Sequence, residues 1–299
     1  MHQRTVGFAQ VVRRHSTVVY RVNRLPFSPA RVRLIAQNTV REATRQRLFN
    51  FIALLAAVLV TCSQWLRELS FGSSELKFIA DFGFGAMAFF GSALAIVATS
   101  QLFFSEIEQR TVFTLLAKPV WRAEFVLGKF IGVTAITAAF CGVMTVLLIA
   151  VLWTRESTLI SQFPEAFQQG RAVNYVAVVV AGFAQALKLG LLSALTLLVA
   201  SFARTQLFTT AVGFMFLVIC HLQFLAGTAA DGRGQNITRL VTKVISVSLP
   251  NFQLFDFSDS LGSGEKLAWM ELGRLTLYTG GYAMATCLFA VFAFRRREI

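Results

Sequence analysis

The chain has 299 residues, of which 56% are hydrophobic and only 14% charged. Soluble domains carry about 25% charged residues, so a water-soluble enzyme is all but excluded, and a disordered chain is excluded outright. The net charge of +13 suits nucleic acid, an anionic lipid surface, or basic loops held on the cytoplasmic side of a membrane.

Residues 1–28 are polar and basic and read as a cytoplasmic extension. No apolar run follows Met1, so no cleavable signal peptide is expected. Ser28-Pro29 reads as a helix N-cap followed by a proline at the first helical position. Val32, Ile35, Ala36, Val40 and Ala43 then recur at helical spacing, with Arg33, Arg41 and Arg45 opposite and Leu34 breaking the pattern. This predicts an amphipathic helix on the membrane surface, at the head of a transmembrane domain spanning 29–299.

Six apolar spans follow, at 48–66, 79–104, 126–153, 173–202, 207–227 and 275–294. The third and fourth exceed ~20 residues and must tilt, kink or project. The expected fold is all-α, a polytopic bundle of six transmembrane helices. With the amino terminus inside, the inside segments hold 18 of the 28 Lys and Arg but only five of the 15 acids. Basic residues gather on the cytoplasmic side, so both termini are placed there. The charge then needs no nucleic acid to explain it.

In the 228–274 connection, Ile237–Leu249 reads as a short interfacial helix, followed by the aromatic run LPNFQLFDFSD. Asn236-Ile237-Thr238 fits a glycosylation acceptor but carries little weight. Cys62, Cys141, Cys220 and Cys287 lie far apart in apolar runs and read as packing residues, with no metal-ligand spacing.

The most informative stretch is Ser105–Lys129, SEIEQRTVFTLLAKPVWRAEFVLGK. Ser105 and Glu108 form S-x-x-E, a capping box that would start a new helix below the second span. Glu106 suits the same helix N-terminus. Arg110-Thr111 and an apolar run then lead to Lys118-Pro119. A short polar-headed helix beneath a bilayer is a handle for a cytosolic partner. Gly128 and Gly132 add a GxxxG pair, a mark of close helix packing.

This stretch resembles the coupling region of ABC (ATP-binding-cassette) transporter permeases of the type-2 exporter class, near the copper-enzyme-maturation branch. Their pattern runs roughly E-x-E-x-x-T-x-x-x-L-L-x-K-P-x-x-R-x-E-F-x-x-G-K. Glu106, Glu108, Thr111, Leu115, Leu116, Lys118, Pro119, Arg122, Glu124, Phe125, Gly128 and Lys129 occupy the matching places. The resemblance extends over 38–299 and includes NTVREA, CHLQ (Cys220–Gln223), LPNF (Leu249–Phe252) and FRRRE (Phe294–Glu298). It departs at Cys220, where glycine is more usual.

The resemblance implies a permease subunit of a bacterial inner-membrane exporter. It would pair with a second permease subunit, as homo- or heterodimer, above two cytosolic ABC ATPase subunits. Coupling to the ATPase would fall to a helix over 105–118, with Glu106, Glu108, Arg110, Thr111, Leu115, Leu116, Lys118 and Arg122, and to a lesser degree to Arg204 in the fourth connection. ATP and magnesium would bind the partner. This chain lacks the phosphate loop: Gly128-Lys129 is followed by Phe130, and Ala123 stands where the first glycine belongs. No cofactor and no enzymatic activity are expected of it.

Lys188 sits mid-span, where a charge costs about 2.5–3.5 kcal/mol on insertion scales. It either reaches water, is paired inside the bundle, or touches cargo. Gln185, three residues earlier, is on the same face and is a potential partner. His221, deep in the fifth span, reads first as a helix-to-helix hydrogen bond. Gln185, Lys188 and His221 are thus the candidate lining of a translocation path. HExxH and G-x-S-x-G are absent, which counts against an intramembrane hydrolase. A non-transporting membrane anchor that recruits a cytosolic partner is the alternative reading. The cargo is not legible.

Overall fold

The computed structural model describes residues 27–63, 75–108, 121–164, 173–230, 249–256 and 269–295. Among them lie helices and no strand: α1 (Pro29–Arg45), α2 (Arg47–Cys62), α3 (Glu75–Glu108), α4 (Arg122–Gln162), α5 (Tyr175–Phe202), α6 (Gln206–Ala230), a 3-10 turn (Phe252–Phe255) and α7 (Trp269–Arg295). Five helices, α3 to α7, are long and apolar enough to cross a membrane. The bent pair α1–α2, broken by 67°, makes a sixth candidate. The protein is a polytopic membrane protein, as the spans predicted.

Burial decides the layout. In its most apolar window α5 is 72% buried, against 22% for α6 and 28% for α7. So α5 is the central helix, and α3, α4, α6 and α7 all pack on it. Small residues let neighbours approach: Gly182 of α5 lies against Thr145 of α4, and Gly91 of α3 receives Leu189 of α5. Buried hydroxyls close locally: Thr99, Thr145, Ser193 and Thr196 donate to carbonyls four residues back. A low-dielectric interior demands this, since no water competes for those groups. Large apolar residues on the rim, such as Phe51, Leu54, Leu277 and Leu288, face outward, as a lipid solvent permits.

The 41 residues of α4 span about 60 Å, twice the ~30 Å hydrocarbon core. The helix therefore projects beyond the span expected at 126–153. Polar contacts hold its far end. Arg155 binds Glu75 at the start of α3 through both Nε and Nη2. Glu156, fully buried, accepts from the Tyr175 hydroxyl at 2.5 Å and from the Val173 N–H at 3.2 Å, at the start of α5.

Three expectations are corrected. Ser105 is not an N-cap: α3 runs unbroken to Glu108, and the Ser105 hydroxyl donates to Glu42 Oε1 at 2.7 Å. The capping box fails because the helix never breaks there. The first span is shorter than 48–66, since α2 closes at Cys62 with Ser63 as its C-cap. The apolar face of α1 does not lie on lipid. Val32, Ala36, Thr39 and Ala43 are buried, and α1 packs on α4. A Cβ on Gly128 would sit 2.7 Å from Ile35 Cβ, and one on Gly132 would sit 2.6 Å from Thr39 Cβ. The GxxxG pair is thus the groove that receives α1. Of the basic extension expected at 1–28, residues 1–26 lie outside the described residues, as do the acceptor at 236–238 and, up to residue 248, the interfacial helix expected at Ile237–Leu249.

Candidate functional site

Two polar constellations stand out, one at the end of the bundle that carries α1 and one at mid-depth.

The first is built on the opening turn of α4. Glu124 is fully buried, yet each carboxylate oxygen has a donor. Oε1 accepts from the Ser28 N–H at 2.8 Å and faces Arg31 Nη2 at 2.9 Å. Oε2 accepts from the Trp121 N–H at 3.1 Å, which closes the first turn of α4. One side chain therefore satisfies the starts of both α1 and α4. Two residues earlier, Arg122 Nη1 donates to the Phe294 carbonyl at 3.0 Å and the Arg295 carbonyl at 2.7 Å. A cation on the last carbonyls of α7 is a C-terminal cap. Lys129, one turn further along α4, is buried, with Nζ 3.7 Å from Glu42 of α1. Beneath these contacts Phe103, Phe125 and Phe294 form a ring cluster with centroids 5.7–5.8 Å apart. R-x-E-F-x-x-G-K is thus a clamp that fastens α1, α3 and α7 to the base of α4.

The expected coupling residues fall around this clamp. Glu106 and Glu108 belong to the last turn of α3. Arg110, Thr111, Leu115, Leu116 and Lys118 lie outside the described residues. Arg122 faces α7. Arg204 is exposed in the α5–α6 connection, beside Ala203, which packs in the same cluster as Phe103, Phe125 and Phe294. The end of α3, the start of α4 and Arg204 therefore share one end of the molecule. Sequence reasoning missed Glu42, which ties α1 to Ser105 and Lys129, and Glu124, which ties α4 to Ser28 and Arg31, because each partner lies on another segment.

The second constellation surrounds Lys188, which is buried at the middle of α5. About 14 residues separate it from the end of α5, or roughly 20 Å at helical rise. Its Nζ lies 3.1 Å from His221 Nε2 of α6. The other imidazole nitrogen, Nδ1, is 3.0 Å from the Leu217 carbonyl. A carbonyl only accepts, so Nδ1 carries the proton and Nε2 accepts from the ammonium. Nζ also stands 5.7 Å from the ring centre of Phe252, whose edge meets the His221 ring at 5.6 Å. Phe252 and Phe255 are buried, in a 3-10 turn capped by Asn251, whose own N–H donates to the Tyr278 hydroxyl of α7 at 3.0 Å. Non-helical backbone is tolerated at such depth only where protein or a cavity surrounds it. The expected Gln185–Lys188 pairing is corrected: Lys188 turns to His221, and Gln185 Nε2 is buried without a hydrogen-bond partner among the described residues. CHLQ and LPNF, separate in sequence, meet at one lysine.

A helical bundle with an amphipathic entry helix, a basal clamp and an inserted aromatic turn agrees with the outcome of comparison. Residues 33–254 match the family model described as ABC-2 family transporter protein. The chain belongs to the ABC-2 transporter family. It is a membrane permease component of an ABC transporter, a class of generally non-catalytic subunits that works with an ATPase partner. The match identifies the family and not a branch within it. No curated protein matches the chain. The matched segment of this permease contains the clamp residues Arg122 to Lys129 and reaches through CHLQ to LPNF.

Proposed function

We propose that this permease is the membrane-spanning half of an exporter in a bacterial inner membrane, with both termini cytoplasmic. The stretch Glu106–Lys118 docks a cytosolic ATPase, two copies of which serve a pair of permease subunits. The observation that carries this reading is the clamp. The stretch leaves α3 and returns at α4 where Glu124, Arg122 and the phenylalanine cluster tie α1 and α7 to the same point. A force on the stretch is therefore delivered to four helices at once. Charge supports the side assigned, since the basic excess gathers at this end. Such an arrangement couples two sites through one movable element. Gln185, Lys188 and His221 line the path.

The test is recovery of an ATP-binding subunit with the tagged permease. Glu106→Arg and Glu108→Ala lower its recovery and leave membrane insertion of the permease unchanged. Equal recovery with both variants contradicts the docking role. No ATP-binding subunit with the wild-type chain favours a plain anchor.

A further inference from the structure

We infer that Lys188, Gln185 and His221 form a binding site for the acidic headgroup of an amphipathic molecule, a phosphate or carboxylate carrying an apolar tail. This deepens the translocation-path reading above and rests on it.

A buried ammonium requires negative charge or hydrogen-bond acceptors. Lys188 is 7% exposed, and among the described residues no carboxylate forms an ion pair with it. Asp256, at the C-cap of the 3-10 turn that carries Phe252, adds negative charge to these surroundings. Its partners are a neutral imidazole and an aromatic face, which leaves donors of the ammonium unused. Gln185, one turn away on the same helix and also 7% exposed, keeps an amide Nε2 with no acceptor among the described residues. Two donor groups thus lie within one turn of α5, and an anion with several acceptor oxygens satisfies both.

The route to the site dictates the tail. His221 stands on the exposed side of α6, in line with Phe214, Met215, Val218 and Leu222, all exposed apolar residues at helical spacing. The imidazole is the polar break in that stripe and bridges from it to Lys188. An amphiphile lying along α6 rests its tail on Val218 and Leu222 and presents its headgroup to His221 and Lys188. The Phe252 ring also faces the cation, beside His221.

The experiment uses the full chain in nanodiscs of zwitterionic lipid and measures saturable binding of radiolabelled dodecyl phosphate. Lys188→Met weakens binding about ten-fold or more, the scale of one charged hydrogen bond, while Lys188→Arg stays within about three-fold. Gln185→Leu weakens it to an intermediate degree. Dodecyltrimethylammonium and inorganic phosphate do not displace the probe. Wild-type binding by a well-behaved Lys188→Met overturns the inference. Displacement by inorganic phosphate at equal concentration overturns the amphipathic class. If Lys188→Met does not accumulate, Gln185→Leu decides: weaker binding supports the site and unchanged binding overturns it. Binding needs no ATPase, so the absence of an ATPase from the purified complex faults the coupling reading and leaves this result standing.

Discussion

The guanidinium of Arg31 meets the carboxylate of Glu124 at 2.9 Å, joining the entry helix to the first turn of α4. The carboxylate is fully buried and the guanidinium side chain is 22% exposed. Removing one member of a buried pair costs about 3–5 kcal/mol, because the other is left uncompensated. Here the loss also frees the backbone N–H groups of Ser28 and Trp121.

Glu124→Ala therefore lowers thermal stability, by roughly 6–20 °C at 2–4 °C per kcal/mol. A thiol-reactive dye reads the transition directly, since Cys141, Cys220 and Cys287 are buried in the folded chain. Glu124→Gln keeps an acceptor oxygen and loses less. A melting curve unchanged in the alanine variant removes the clamp from the account.

Gly132 tests the seating of α1. A Cβ there meets Thr39, and a leucine separates the helices outright. Overpacking of this kind costs about 1–3 kcal/mol. Gly132→Leu therefore speeds tryptic cleavage at Arg41 and Arg45, both exposed on α1. Gly85→Ala is the control, because a Cβ at Gly85 meets nothing within 4 Å. Equal cleavage rates for Gly132→Leu and the wild type contradict the groove.

Much of this was readable in the residues, and the limits have physical causes. Hydropathy located the spans because lipid demands about 20 apolar residues per crossing. It missed the last turns of α4, where Arg155 and Glu156 are polar by sequence yet are held by Glu75 and Tyr175. Periodicity put Val32, Ala36 and Ala43 on one face of α1, but a pattern of faces does not say whether lipid or protein covers them. Gly128 and Gly132 carried that answer in part. Ser105 misled because S-x-x-E is equally at home inside a helix whose serine bonds a neighbour. Lys188 was conspicuous as a charge in a span. Its partners were not, because His221 and Phe252 come from α6 and the inserted turn, and no local period links them.

The coupling of α3 and α4 to a nucleotide-driven partner is the central claim. It is tested most directly by a photo-crosslinking amino acid at Thr111, between the matched acidic turn and Leu115-Leu116, in the complex purified from its native host. The account predicts one dominant adduct, between this chain and a cytosolic ATP-binding subunit. Adducts formed only with lipid or with external proteins, in a complex that still hydrolyses ATP, contradict it.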